Sequence, residues 1–148
     1  MPLRHFRSAV AKDFNPPSLG KVSLTTGDLT TTSVAPTFAD ATGVSVTITT
    51  KVSRCLVSVS ASGKHSGTDT ICVDLSIDGV RQGQALGLCF SDTAAQNRNM
   101  SFTFVTGVLS AGSHLFKLQF ANGAAGTMTL YASTTTSPLI MSVIELPN

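Results

Sequence analysis

From about Lys21 onward the chain alternates apolar and small polar side chains with a period of two. Val44-Ser-Val-Thr-Ile-Thr-Thr50 and Cys55-Leu-Val-Ser-Val-Ser-Ala61 are the cleanest runs, and Ile71-Cys-Val-Asp-Leu-Ser-Ile77 alternates in its second half. Ser101-Phe-Thr-Phe-Val-Thr106, His114-Leu-Phe-Lys-Leu-Gln-Phe120, Thr127-Met-Thr-Leu-Tyr131 and Leu139-Ile-Met-Ser-Val-Ile-Glu145 continue the series. A strand sends successive side chains to opposite faces, so each run lays one face on a core and leaves the other for solvent or a partner. β-branched and aromatic residues fill the runs, as strands prefer. Between them stand Ser62-Gly63, Asp78-Gly79, Ala111-Gly112, Asn122-Gly123 and Ser137-Pro138. Asp78-Gly79 and Asn122-Gly123 are the pairs suited to tight hairpins with positive φ. About eight or nine short strands at roughly 8–12-residue spacing predict an all-β antiparallel sandwich or barrel. No helix is expected within 21–148.

Residues 1–20 follow another period. Leu3, Phe6, Val10 and Phe14 are spaced by three, four and four, the stripe of an amphipathic helix. The segment is too short to be a stable helix alone in water, and Pro16-Pro17 ends the pattern. The chain thus divides into an N-terminal arm, 1–20, and a β-sandwich domain, 21–148. The arm's apolar stripe suits a groove on another protein or on a neighbouring copy, with Arg4, Arg7 and Lys12 pairing acids there. Leu3, Arg4, Phe6, Arg7, Val10 and Phe14 are therefore the candidate partner-binding residues. The plainer alternative is a stripe packed on its own domain.

Composition narrows the function. Of 148 residues, 12% are charged and 42% hydrophobic, so the charged share is about half the usual one. Ser and Thr supply about a quarter of the chain. Such a composition can bury a core, unlike that of disordered chains. The outward strand positions carry hydroxyls where a solitary sandwich guards its edges with charge. An uncharged face of this kind suits burial between subunits. The net charge of +2 is too small to indicate nucleic acid, and one tyrosine, Tyr131, with no tryptophan gives no stacking platform. No stretch reaches the length of a membrane span, and the first ten residues lack the apolar run of a secretory leader. Cys55, Cys72 and Cys89 are odd in number and without CxxC spacing, as expected of reduced thiols in a protein assembled in a reducing cytoplasm.

Candidate chemistry is sparse. His5, His65 and His114 lack metal-ligand spacing, and His65, in Gly63-Lys-His-Ser-Gly67, reads as a surface loop residue. No serine sits in a Gly-x-Ser-x-Gly elbow, and there is no phosphate-binding Gly-x-x-x-x-Gly-Lys loop. Among the acids, Asp74 is the exception, because it interrupts an apolar strand; Arg54 and Arg81 are its candidate structural partners. Phe102, Phe104, Phe116 and Phe120 fall on core positions. The expectation is a protein that is not an enzyme and needs no cofactor.

The stretch from about Thr30 to Leu146 resembles a module of tailed-phage virion proteins. The resemblance is carried by Val44–Thr50, Cys72-Val-Asp-Leu-Ser-Ile-Asp-Gly79, Leu109-Ser-Ala-Gly-Ser-His-Leu-Phe-Lys-Leu-Gln-Phe120, Gly126-Thr-Met-Thr-Leu-Tyr-Ala132 and Leu139–Leu146. It looks like the jelly-roll modules of head decoration proteins, head fibres and tail tips, similar in shape to trimeric C1q and tumour-necrosis-factor domains. The resemblance implies a jelly-roll-like sandwich, a homotrimer and a non-enzymatic role in the virion, with no catalytic residues to carry over. The short arm, in place of a long shaft, favours a decoration or cement protein on the major capsid protein or another virion protein. A receptor- or glycan-binding tip module, recognising through loops such as Gly63–Gly67 and Asp92–Asn99, is the alternative.

Overall fold

The computed structural model describes residues 17–94, 96–133 and 137–147. The arm residues Leu3, Arg4, Phe6, Arg7, Val10 and Phe14 lie outside the described residues. Among the described residues thirteen strands follow one another: β1 Leu19–Leu24, β2 Leu29–Thr31, β3 Ala39–Thr50, β4 Cys55–Ser60, β5 Ser62–His65, β6 Thr68–Ile77, β7 Val80–Arg81, β8 Cys89–Ala94, β9 Arg98–Asn99, β10 Phe102–Val105, β11 Gly112–Asn122, β12 Met128–Leu130 and β13 Leu139–Glu145. There is no helix among the described residues.

Every pairing between strands is antiparallel. One sheet runs β1-β13-β4-β10; a second runs β3-β11-β6, with β7 and β8 sharing the far edge of β6. A small third sheet, β2-β12-β5-β9, packs against the second and adds Met128 and Leu130 to the same core. The chain passes between the two large sheets as it goes, so sequence neighbours such as β3 and β4, or β10 and β11, lie in opposite layers. The result is a jelly-roll-like antiparallel sandwich.

The alternating runs explain the core. From the first sheet Cys55, Val57 and Val59 on β4 and Leu139, Met141 and Val143 on β13 point inward. Val44, Val46, Ile48, Phe116, Leu118, Phe120, Ile71, Val73, Leu75 and Ile77 meet them from the second. Phe116 and Phe120 are buried as expected; Phe102 and Phe104 are partly buried and pack against the same cluster. Eight strands build the two large faces. The other five are only two to four residues long; β12 falls within the alternating run Thr127–Tyr131, and the remaining four show no period of two in sequence.

Asp78-Gly79 forms the expected two-residue hairpin between β6 and β7, with φ of 51° and 84°. Asn122-Gly123 does not form one. Asn122 instead ends β11, its backbone N–H and side-chain Nδ2 both donating to Ser33 O (2.8 and 3.1 Å), and the positive φ falls at Gly126. Ser62-Gly63 is likewise no turn: it lies inside β5, and Gly63 passes so close to the Thr129 carbonyl that no side chain fits there.

Strand β6 is buried on both sides, which accounts for Asp74. Its neighbours Val73 and Leu75 face the core, so the Asp74 side chain faces outward, yet it is fully buried. Oδ2 accepts from Arg81 Nε at 2.7 Å, and Oδ1 accepts from the N–H groups of Leu75 (2.7 Å) and Gly83 (2.9 Å). Arg81 then donates to the carbonyls of Pro36 and Gln84, both at 2.7 Å, and its guanidinium stacks 4.0 Å over the Phe38 ring. One ion pair thereby pins two loops across the outer side of β6. Of the two expected partners, Arg81 is the one; Arg54 reaches only the Thr106 carbonyl, at 3.4 Å. Removing one member of a buried pair leaves the other charge uncompensated, a loss of several kcal/mol. Arg81→Ala is expected to lower unfolding stability in urea by about 3 kcal/mol, with Arg81→Lys restoring only part, since a single ammonium cannot serve Asp74 and both carbonyls.

Candidate functional site

The outer face of the β1-β13-β4-β10 sheet is a regular surface whose outward side chains are exposed or half-buried. Strand registers arrange its side chains in three rows. In the first, Leu19 opposes Ile144, Ile144 opposes Leu56, and Leu56 opposes Val105. In the second, Lys21, Ser142, Ser58 and Thr103 follow the same order. In the third stand Ser23, Ile140 and Ser60.

The first row is a continuous apolar stripe across all four strands. Leu19 is 67% exposed, Val105 48% and Ile144 36%. The other two rows are almost wholly hydroxyl. Ser58, Ser60, Ser101, Thr103 and Ser142 surround Ile140 in a shallow depression of about 270 Å³. Lys21 is the single charge in the three rows. The outward positions of these strands thus carry the neutral side chains expected from the alternation, and nothing described lies over them. The other large sheet differs, because its central strand is roofed by the loops that Arg81 holds.

Beneath the apolar row lies Glu145, buried at the end of β13. Its Oε1 accepts from Lys51 N–H (2.6 Å) and Ser53 Oγ (2.7 Å), and its Oε2 accepts from Ser18 N–H (3.3 Å). These donors, the Lys51 amide foremost, hold its carboxyl below the usual glutamate range. The carboxylate therefore fastens the start of β1 to the rest of the sheet.

The remaining candidate groups take structural places. His65 is 3% exposed, not a surface loop residue. It ends β5, pairs with Met128, and its Nδ1 accepts from Gly67 N–H at 3.0 Å. Its ring lies against Gly126, where even a methyl group would collide with it. The sequence signal for this was the glycine on either side, which reads equally as loop. His114 is buried at the start of β11, donating from Nδ1 to Asp78 Oδ2 (2.6 Å) and from Nε2 to the Ser110 carbonyl (3.0 Å). With an acceptor on each nitrogen the imidazolium is favoured, so the Asp78 bond, followed by Ser110, raises the His114 pKa above its ordinary value. The same bond and the Leu115 amide lower that of Asp78.

The thiols of Cys55, Cys72 and Cys89 are unbridged. Burial pushes Cys55 and Cys72 up to about 11 and raises Cys89, so the reactive thiolate is disfavoured at all three. Among the described residues no three His, Cys, Asp or Glu side chains converge as a metal would require. The acids serve the fold: Asp28 accepts from Ala132 N–H, Asp40 from Lys117 and Gln119, Asp69 from Thr70 N–H, and Asp92 from Thr70 Oγ1.

No family model matches the chain, and no curated protein matches it in sequence. Solved structures do share its fold. The Eiger TNF of S. frugiperda aligns over 90% of this chain and 94% of its own at 13% identity, with a TM-score of 0.56. Murine APRIL at pH 5.0 aligns over 88% of this chain and 99% of its own at 14% identity, with a TM-score of 0.53. The similarity establishes a TNF-like jelly roll.

The His114–Asp78 contact makes stability depend on pH. Because His114 holds its proton more tightly when folded, its contribution is complete below about pH 6.5 and fades as pH rises through the elevated folded value. Asp78, lowered on folding, contributes above about pH 3.8 and loses that contribution in acid. The urea midpoint is expected to fall between pH 6.5 and mildly alkaline pH, and His114→Gln to flatten that slope.

Proposed function

We propose that this chain is a non-enzymatic structural protein of a virion: a decoration or cement protein that attaches to the major capsid lattice as a homotrimer and stabilises the shell. The observation that carries the reading is the outer face of the β1-β13-β4-β10 sheet, regular, nearly uncharged and left open by the chain's own loops. Neutral hydroxyls and apolar side chains are what subunit interfaces keep at their centres, where charged groups are depleted. The TNF-like jelly roll and the resemblance to phage virion modules support the same assembly. The unreactive, unbridged thiols suit assembly in the host cytoplasm before incorporation into the virion.

The mechanism is mechanical. Each copy packs this sheet face against a different surface of the next, and three such heterologous contacts close a ring. Interfaces of roughly 800 Å² per partner hold stably. A trimer then meets a capsid lattice through several equivalent contacts at once, so that weak individual attachments add into firm ones.

Sedimentation equilibrium of the whole chain is expected to show one species of three times 15.3 kDa. Ser142→Arg, which places a long charged side chain in the middle of the face, is expected to give a folded monomer with an unchanged circular dichroism spectrum. Titration of purified shells with the wild-type protein is expected to saturate in proportion to the number of capsid lattice sites. Saturation at only a few copies per particle would contradict the decoration role and favour the tip module.

A further inference from the structure

We propose that the loops at one end of the sandwich, 51–54 and 106–110, form the foot by which the chain attaches to the shell, and that the surface they fit is a protein patch of aliphatic side chains rimmed by acids. The inference rests on the shell-binding reading above and adds to it the residues that make the contact.

Local pairing fixes what these loops display. Ser53 and Leu109 form an antiparallel bridge: Ser53 N–H donates to the Leu109 carbonyl at 3.2 Å, and Leu109 N–H to the Ser53 carbonyl at 2.8 Å. Ser53 is buried, and Leu109 packs on the core. Side chains alternate along an extended backbone, so the residues flanking the bridge turn the other way. These are Val52 and Arg54 on one loop and Val108 and Ser110 on the other, and all four are exposed. Val52 is 57% exposed and Val108 61%. In such pairing Val52 and Val108 are diagonal neighbours, about 7–8 Å apart, and Arg54 lies across from Val108.

The display is firmly held. Glu145 accepts from Lys51 N–H and Ser53 Oγ, and Leu146 N–H donates to the Arg54 carbonyl at 2.8 Å. The Ser110 carbonyl accepts from Thr50 Oγ1 (2.9 Å) and from His114 Nε2 (3.0 Å). Valines anchored in this way stay in water and are already ordered for contact, which is the advantage of a preorganised surface. Exposed apolar side chains that lie together mark an interaction site, unlike those scattered singly. The foot also adjoins the apolar row of the sheet, since Val105 ends β10 just before one loop and Leu56 begins β4 just after the other. The two surfaces are contiguous and distinct, the row facing a sister copy and the loops facing the shell.

Charge specifies the partner. Lys51 and Arg54 are exposed, and neither forms an ion pair among the described residues. The acids of this end are occupied elsewhere: Glu145 by Ser18, Lys51 N–H and Ser53, Asp78 by His114 and Leu115 N–H. Two cations beside two valines therefore complement acids beside aliphatic side chains on another protein. A bilayer is the poorer fit, because interfacial anchors bring a broad apolar face with Trp, Phe or Leu and clusters of about four or more cations.

The test titrates purified shells free of this chain with the full-length protein and with Val52→Asp, Val108→Asp and Arg54→Glu. Each valine variant is expected to bind about tenfold more weakly or worse, since burial of a valine is replaced by burial of a charge. Arg54→Glu is expected to weaken binding too, and wild-type binding to fall as salt screens the ionic rim. All three variants are expected to keep the wild-type circular dichroism spectrum and sedimentation, because the altered side chains are exposed. Wild-type affinity in the valine variants would overturn the proposal. So would their dissociation to monomers, which would assign the valines to the sister contact. Wild-type binding to vesicles of equal parts phosphatidylglycerol and phosphatidylcholine, lost in Val108→Asp, would overturn it in favour of a lipid surface. The two failures are separable. Shells that bind wild type and valine variants equally remove the foot alone, while shells that bind no wild-type protein remove the shell-binding reading and the foot with it.

Discussion

A strand that gives alternate side chains to a core must dispose of the others, and this constraint organises the whole molecule. The two large sheets meet it differently. On the β3-β11-β6 side the chain covers the centre of its own outer face. Asp74 turns outward between Val73 and Leu75, Arg81 returns from the hairpin to neutralise it, and the guanidinium gathers the Pro36 and Gln84 carbonyls over the strand. On the β1-β13-β4-β10 side no such device exists among the described residues. The outward side chains there are serine, threonine, Lys21 and a row of aliphatics, exposed or half-buried. The β1-β13-β4-β10 side is thus unfinished across its width, whereas the other side is roofed over β6 and leaves Ser45, Thr47, Thr49 and Phe90 exposed.

That asymmetry gives the fold its functional meaning. A jelly roll alone says little, because the same architecture serves many roles. What distinguishes this one is which of its faces carries charge and which does not. The acids are consumed in holding the structure: Asp78 fastens the β6–β7 hairpin to β11, Glu145 the entry of β1, Asp40 the irregular pairing of β3 and β11 near Lys117. The open sheet is left nearly neutral as a consequence, and neutral surface is inexpensive to remove from water.

Much of this was legible from the sequence, for identifiable reasons. The long strands declared themselves because each buries one face, so alternation survives over six or more residues, as in Val44–Thr50 and Leu139–Glu145. Asp74 was legible as an anomaly, a carboxylate where the pattern demanded an apolar or hydroxyl side chain, and Arg81 was one of its two named partners. The shortest strands left no trace, because β2, β7 and β9 complete too few repeats, whereas β12 lies within the alternating run Thr127–Tyr131. His65 misled: the glycines around it mark close packing against Gly126 and the β12 backbone, and sequence alone cannot separate that from a turn. Asn122-Gly123 misled in the same way, since the asparagine caps a long-range contact with Ser33 instead of turning the chain. The face was legible as hydroxyl-rich, but the apolar row was not, because Leu19, Leu56, Val105 and Ile144 come from four separate runs and only register aligns them. The arm residues lie outside the described residues.

The central claim is that the unfinished sheet is covered by sister molecules. Hydroxyl-radical footprinting over a dilution series reads this side chain by side chain, with exposed Val80 and Phe90 on the other sheet as internal references. The account predicts that Leu19, Leu56, Val105 and Ile144 are shielded at concentrations where the protein is assembled and become reactive on dilution, while Val80 and Phe90 do not change. Equal reactivity of all six at every concentration would contradict it.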